Sequence, residues 1–226
     1  MNDFIIENNI LKGYTGSDRC IRVPEGIKVL GGACLFGKDF DQIILPSTLE
    51  ETVFMPLGFN SSLKEVIFPE GMKIIGWKTF LGCHGLKYVY IPKSVTKIDK
   101  LVFQNCDALE KVVILGDIKE LLYGTFVFCH SLKEVVLPKN LTKIGGTCFC
   151  ENYALKTIDL PESLEWIGDG AFIRSGLERI KIPKNCKHIG ERCFEDCDNL
   201  KEITVPKGLD LSLANIPKTC KVIYYA

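Results

Sequence analysis

The stretch Leu132–Asn152, LKEVVLPKNLTKIGGTCFCEN, decides the architecture because its pattern keeps returning. Its proline belongs to a series: Pro24, Pro46, Pro69, Pro92, Pro138, Pro161, Pro183 and Pro206 follow one another at 22 or 23 residues, with Leu115 midway in the single double gap. A fixed period of that length is the signature of a solenoid, one supersecondary unit stacked on the next. Ahead of the proline the form is L-x-x-[VI]-x-[ILFV]-P, seen again in Leu63–Pro69 and Leu86–Pro92. Apolar residues two apart share one face of a strand, and proline, lacking an N–H, suits the strand's end.

Aligned on the prolines, the chain becomes a set of columns. Three residues beyond the proline stand Ile27, Leu49, Met72, Val95, Ile118, Leu141 and Leu164, and three further on Leu30, Ile75, Ile98, Leu121, Ile144, Ile167 and Ile189. Gly31, Gly76, Gly145, Gly168 and Gly190 follow, predicting a corner where glycine supplies a positive φ. Phe80, Phe103, Phe126, Phe149, Phe172 and Phe194 then form an aromatic column. Each is preceded by a smaller residue (Thr79, Val102, Thr125, Cys148, Ala171, Cys193), the alternation that close packing needs. Fourteen residues past the proline column lie Asn60, Cys83, Cys106, Cys129, Asn152, Ser175, Cys197 and Cys220. These small residues are expected to satisfy unpaired backbone amides at a turn. No coil buries enough to fold alone; stacked about 4.8 Å apart, the coils share one core.

The fold expected is a solenoid of about nine such repeats, with a parallel β-sheet on the concave face and short strands or helical turns on the other side. A single domain of 1–226 divides into an N-terminal cap (1–19), repeats (20–206) and a degenerate last repeat with a C-terminal cap (207–226). Lys plus Arg and Asp plus Glu both number 28. That balance gives no electrostatic argument for nucleic acid or an anionic membrane as the main partner. No stretch approaches the roughly 18 apolar residues of a membrane span, so insertion is not expected. Met1-Asn2-Asp3-Phe4 lacks the basic region and apolar core of a secretory signal. With eleven cysteines, an odd number, the expectation is reduced thiols in the cytoplasm.

The consensus L-x-x-I-x-[IL]-P-x-x-L-x-x-I-G-x-x-[AC]-F-x-x-C resembles the BspA-type (Treponema pallidum-type) leucine-rich repeat, most closely in Leu132–Asn152, Leu155–Ser175 and Leu177–Cys197. Phe4–Tyr14 is similar to the hairpin-like N-terminal cap common in that family. The pattern is broken by Thr52, Val53 and Pro56 in the second coil, Leu115 and Leu122 in the fifth, and Leu211–Pro217 in the last. The resemblance implies ligand or protein recognition, often adhesion at bacterial surfaces by surface or secreted members, and no shared catalytic residues.

No acid, base and nucleophile converge in the repeat, so no enzyme, catalytic residue or cofactor is expected. Cys83-His84, Cys129-His130, Cys186-x-His188 and Cys148-x-Cys150 invite a metal reading. Zinc needs four ligands at about 2.0–2.3 Å, whereas His84 and His130 stand two coils, roughly 10 Å, apart. Buried cysteine beside exposed histidine is the simpler reading. A reactive thiol needs access and a lowered pKa, and Cys20 and Cys150 are the thiols expected at the surface. Cys83, Cys106 and Cys129 stack closely enough to pair, but parallel side chains in a ladder seldom take the disulfide dihedral.

Strand residues facing away from the core carry the functional expectation. One outward column reads Arg22, Ile44, Ile67, Tyr90, Val113, Val136, Asp159, Lys181, Thr204, and its neighbour Gln42, Glu65, Tyr88, Lys111, Glu134, Thr157, Arg179, Glu202. An apolar stripe from Ile44 to Val136 through Ile67 and Val113, centred on Tyr88 and Tyr90 and edged by Glu65, Lys111 and Glu134, predicts a site for a partner protein. Against it stands strand propensity alone, since β-branched residues suit strands with or without a partner. The other functional reading is a surface adhesion or structural protein recognising host glycan or extracellular matrix, for which Tyr88 and Tyr90 are the aromatic platforms.

Overall fold

The computed structural model describes residues 3–226; Met1 and Asn2, the start of the expected N-terminal cap, lie outside the described residues. Strands β1 (Phe4–Glu7) and β2 (Ile10–Tyr14) form an antiparallel hairpin. It turns at Asn8 and Asn9, both left-handed at φ 49° and 63°, the geometry a two-residue hairpin loop requires. Every later coil has three sides.

The first side carries β3 (Cys20–Arg22), β5 (Gln42–Ile44), β7 (Glu65–Ile67), β9 (Tyr88–Ile91), β11 (Lys111–Ile114), β13 (Glu134–Val136), β16 (Arg179–Lys181), β18 (Glu202–Pro206) and β19 (Lys221–Tyr225). The second carries two-residue strands: β4 (Val29–Leu30), β6 (Glu51–Thr52), β8 (Ile74–Ile75), β10 (Lys97–Ile98), β12 (Glu120–Leu121), β14 (Lys143–Ile144), β15 (Trp166–Ile167) and β17 (His188–Ile189). All pair parallel, and the hairpin docks on the second side through β2 and β4. Among the described residues there is no helix.

The third side is a wall of turns. Eight coils place two left-handed residues there, four apart, such as Ala33 and Gly37, Met55 and Phe59, or Lys78 and Gly82, and the last coil places one, Asn215. These flips aim N–H groups at the following coil: Lys78 to the Lys100 carbonyl (3.2 Å), Phe80 to Val102 (2.9 Å) and Gly82 to Gln104 (2.9 Å). The backbone is thus satisfied without a regular strand.

One hydrophobic core runs the length of the stack. The six phenylalanines of the aromatic column are fully buried and parallel-displaced, with neighbouring centroids 5.3–5.8 Å apart and planes within 15°. Thr52 occupies an aliphatic column, yet it is satisfied: its hydroxyl meets Thr79 Oγ1 at 2.8 Å and accepts the Gly76 N–H at 2.8 Å.

Two expectations about this core need correction. The glycines at the corner do not have positive φ; they are there because coils touch backbone to backbone. A Cβ on Gly76 would sit 2.1 Å from the carbonyl oxygens of Thr52 and Val53. The small-residue column satisfies mostly carbonyls; the expected amide is met at Asn60, whose Oδ1 accepts the Phe40 N–H at 3.2 Å. Cys83, Cys106, Cys129 and Cys197 donate S–H bonds of 3.0–3.2 Å to Leu57, Phe80, Phe103 and Phe172 of the preceding coil. Asn152 donates in the same way to Phe126 (2.8 Å). A thiol is foremost a donor, and the wall's N–H groups are already directed to the next coil.

Candidate functional site

The stripe read from the sequence assembles on the first side. β7, β9, β11 and β13 form a continuous four-stranded sheet whose register sets Ile67 beside Tyr90, Tyr90 beside Val113 and Val113 beside Val136. In the adjacent column Glu65, Tyr88, Lys111 and Glu134 stand side by side. The alternation holds each strand's middle residue (Val66, Val89, Val112, Val135) in the core, which turns both tyrosines outward together. Ile67 is 77% exposed and Tyr90 58%; Tyr88 and Val136 are also exposed, while Val113 is half-buried between its neighbours. Lys111 Nζ lies 2.9 Å from Glu134 Oε1, and that hydrogen bond raises the lysine's pKa.

Ile44 is set apart. Strand pairing lapses between β5 and β7, and a cleft of about 350 Å³ opens there, lined by Ile44, Ile67, Gln42, Glu65, Glu25 and Pro69 among others. Glu25 accepts the Ser47 N–H and hydroxyl at 3.1 and 2.9 Å, which lowers its pKa and keeps a carboxylate at the cleft edge. The ladder lapses again at Thr157–Asp159, which form no strand; aspartate suits strands poorly. A cleft of about 260 Å³ there is lined by Asp159, Arg179, Lys181, Glu202 and Thr204. The face therefore runs from an apolar notch through a tyrosine-centred sheet to a charged notch.

The thiols and histidines fall elsewhere. All eleven cysteines are unpaired, and Cys20 is exposed as expected. Cys150 is not: it is buried, and desolvation pushes its pKa up to about 11. Left-handed residues at Thr147 and Glu151 take this segment off strand alternation, so that Cys148, Phe149 and Cys150 are all buried in succession. His84 and His130 are bridged by Asp107, whose two oxygens meet their Nδ1 atoms at 2.7 and 3.1 Å. Among the described residues no group of three or more His, Cys, Asp or Glu is arranged to hold a metal ion.

Two aromatic features escaped the sequence reading. Trp166 stacks on His188 (3.5 Å between centroids) on the second side, beside a cleft of about 470 Å³ lined also by Glu120, Lys143, Glu165 and Lys187. Phe36, Phe54, Phe59 and Trp77 are exposed on the turn wall. Both would have shown in the column alignment had the positions outside the first-side strands been read for exposure.

A family profile described as the BspA type leucine rich repeat region, in six copies, matches residues 5–110, 53–174 and 119–223. The chain belongs to the BspA-type leucine-rich repeat family. Among solved structures it is similar to a leucine-rich repeat protein from Bacteroides ovatus, at 25% identity and a TM-score of 0.62, covering 94% of this chain and 67% of that one. It is also similar to the Treponema pallidum leucine-rich repeat protein (23% identity, TM-score 0.57, 65% of this chain and 82% of that one). A leucine rich cell surface protein from Faecalibacterium prausnitzii shares the fold at 19% identity and a TM-score of 0.56, over 99% of this chain and 93% of that one. No curated protein matches the sequence significantly. The family fold is that of repeat proteins with an interaction or surface role.

Proposed function

We propose that the chain is a non-catalytic interaction module that binds a partner protein through the sheet β7–β13. The observation that carries this is the exposure of Ile67, Tyr88, Tyr90 and Val136 on adjacent, hydrogen-bonded strands. A face fixed by its own ladder loses little conformational freedom on binding, and tyrosines with alternating Glu and Lys beside them have the make-up of an interface centre and rim. Eleven unpaired cysteines favour action in a reducing compartment.

The test is affinity capture from the source organism with wild type beside Tyr88→Asp/Tyr90→Asp, both checked for fold by circular dichroism. Loss of hot-spot tyrosines should weaken binding by about 2 kcal/mol or more, roughly 30-fold. Equal capture by the folded variant refutes the site. A second reading, glycan recognition at a cell surface, is favoured by the Trp166–His188 platform and its cleft of polar residues, and the similar Faecalibacterium protein is a cell surface protein. Quenching of Trp166 emission by added oligosaccharide would support it over the first.

A further inference from the structure

The turn wall is divided along its length. Its first five segments, residues 32–37, 54–59, 77–82, 100–105 and 123–128, contain two charged residues, Lys78 and Lys100, and no carboxylate. The next three, 146–151, 169–174 and 191–196, contain Glu151, Asp169, Glu191, Glu195 and Asp196 with Arg174 and Arg192. A net charge of zero averages over this separation.

The carboxylate-free half is also where large rings stay in water. Phe36, Phe54, Phe59 and Trp77 are 39–45% exposed, and Tyr123 is exposed further along the column of Phe54 and Trp77. The rings are laid on the wall in fixed positions. Phe36 meets Phe59 edge-on at 5.3 Å, and Phe54 packs on Trp77 at 5.0 Å. Gly82 leaves the space for the Phe59 ring, since a Cβ there would stand 2.9 Å from it. Lys78 Nζ lies 5.1 Å over the Trp77 ring. The carboxylates at the flanking corners are engaged: Asp39 and Asp41 share Arg19 (3.6 and 2.8 Å), Asp99 meets Lys97 (3.3 Å), and Asp107 is held between His84 and His130.

We propose that this half of the wall docks on an anionic lipid surface. Trp and Tyr rings are suited to the headgroup level, Phe to the acyl boundary below it, and lysines beside them to lipid phosphates. A second copy of the chain fits less well, because two such walls face to face bring Lys78 and Lys100 together with no carboxylate to pair them. The acidic half is repelled by the same surface, so the solenoid docks at its N-terminal coils. The association is peripheral: among the described residues no helix is long and apolar enough to cross a membrane. The tyrosine-centred sheet lies on another side of each coil and stays open while the wall is occupied.

The test uses the whole chain with vesicles of phosphatidylcholine, alone or mixed with phosphatidylglycerol, in a Trp166→Phe background so that emission reports Trp77. Expected are co-sedimentation with the anionic vesicles only, a blue shift of Trp77, release by salt, and binding weakened about tenfold or more by Lys78→Glu/Lys100→Glu. Trp77→Ser/Phe54→Ser in the parent chain should also weaken co-sedimentation. No binding to anionic vesicles, equal binding to phosphatidylcholine, or undiminished binding of the folded lysine variant overturns the proposal. So does sedimentation velocity showing a dimer that Trp77→Ser/Phe54→Ser dissociates, because a second copy would then be what covers the wall.

Discussion

Gly76→Ala separates two reasons for a glycine. The position has no left-handed φ, so alanine is not strained in torsion. Its Cβ, however, would stand 2.1 Å from two backbone oxygens of the preceding coil, roughly 1 Å or more inside van der Waals contact. Backbone cannot rotate aside as a side-chain tip can, so the coils must part at this corner. Parting strains the bonds on either side, Ile74 N–H to the Glu50 carbonyl (3.2 Å) and Met55 N–H to the Trp77 carbonyl (3.0 Å). Losing both costs about 1 kcal/mol each, and the residual overlap adds about 1–3 kcal/mol, for a total of roughly 3–5 kcal/mol. Gly26→Ala is the control: φ there is +90° and nothing lies within 4 Å, so only torsional strain of about 1–2 kcal/mol is expected. Urea unfolding followed by circular dichroism gives both values from shifts in midpoint at constant slope. If Gly76→Ala is no more destabilising than Gly26→Ala, the close-approach argument is wrong.

Phe126→Ala removes a ring stacked on both sides and should cost about 3–5 kcal/mol; weakened coupling between the halves should broaden or split the calorimetric transition. Desolvation pushes Cys34, Cys83 and Cys148 up to about 12 from an ordinary 9.0. The folded chain then keeps protons that the unfolded chain releases, so the thiols' contribution to stability is flat below about pH 9 and falls above it by about 1.4 kcal/mol per pH unit per thiol. Urea midpoints measured from pH 8 to about pH 11 check this; a flat profile would refute it. Native thiol titration should find Cys20 reacting first and the buried thiols only on unfolding.

The period, the strand faces and the core columns were legible because each rests on alternation or repetition, which survive substitution at single positions. Tyr88 and Tyr90 were placed outward for the same reason. The glycine column was misread because sequence records only that a side chain is absent. A positive φ and a backbone contact leave the same mark, and the neighbour that decides between them is a coil away. Cys150 was misread because the turn wall follows left-handed residues such as Thr147 and Glu151, types that carry no turn signal. The notch beside Ile44 was invisible too: Gln42–Ile44 reads as strand, and whether it pairs with β7 depends on the path of both coils.

Because coils meet chiefly their immediate neighbours, with reaches across two coils such as Arg19 to Ser62 and Tyr225 to Ile182 near the ends, and matching core columns meet along the stack, the length of this molecule changes in whole steps. One unit inserted or removed in register would shift the reach of its outer faces by about 4.8 Å while every remaining junction kept its form. Reach along the axis is therefore heritable as a number of copies, separable from the side chains that give any one coil its specificity.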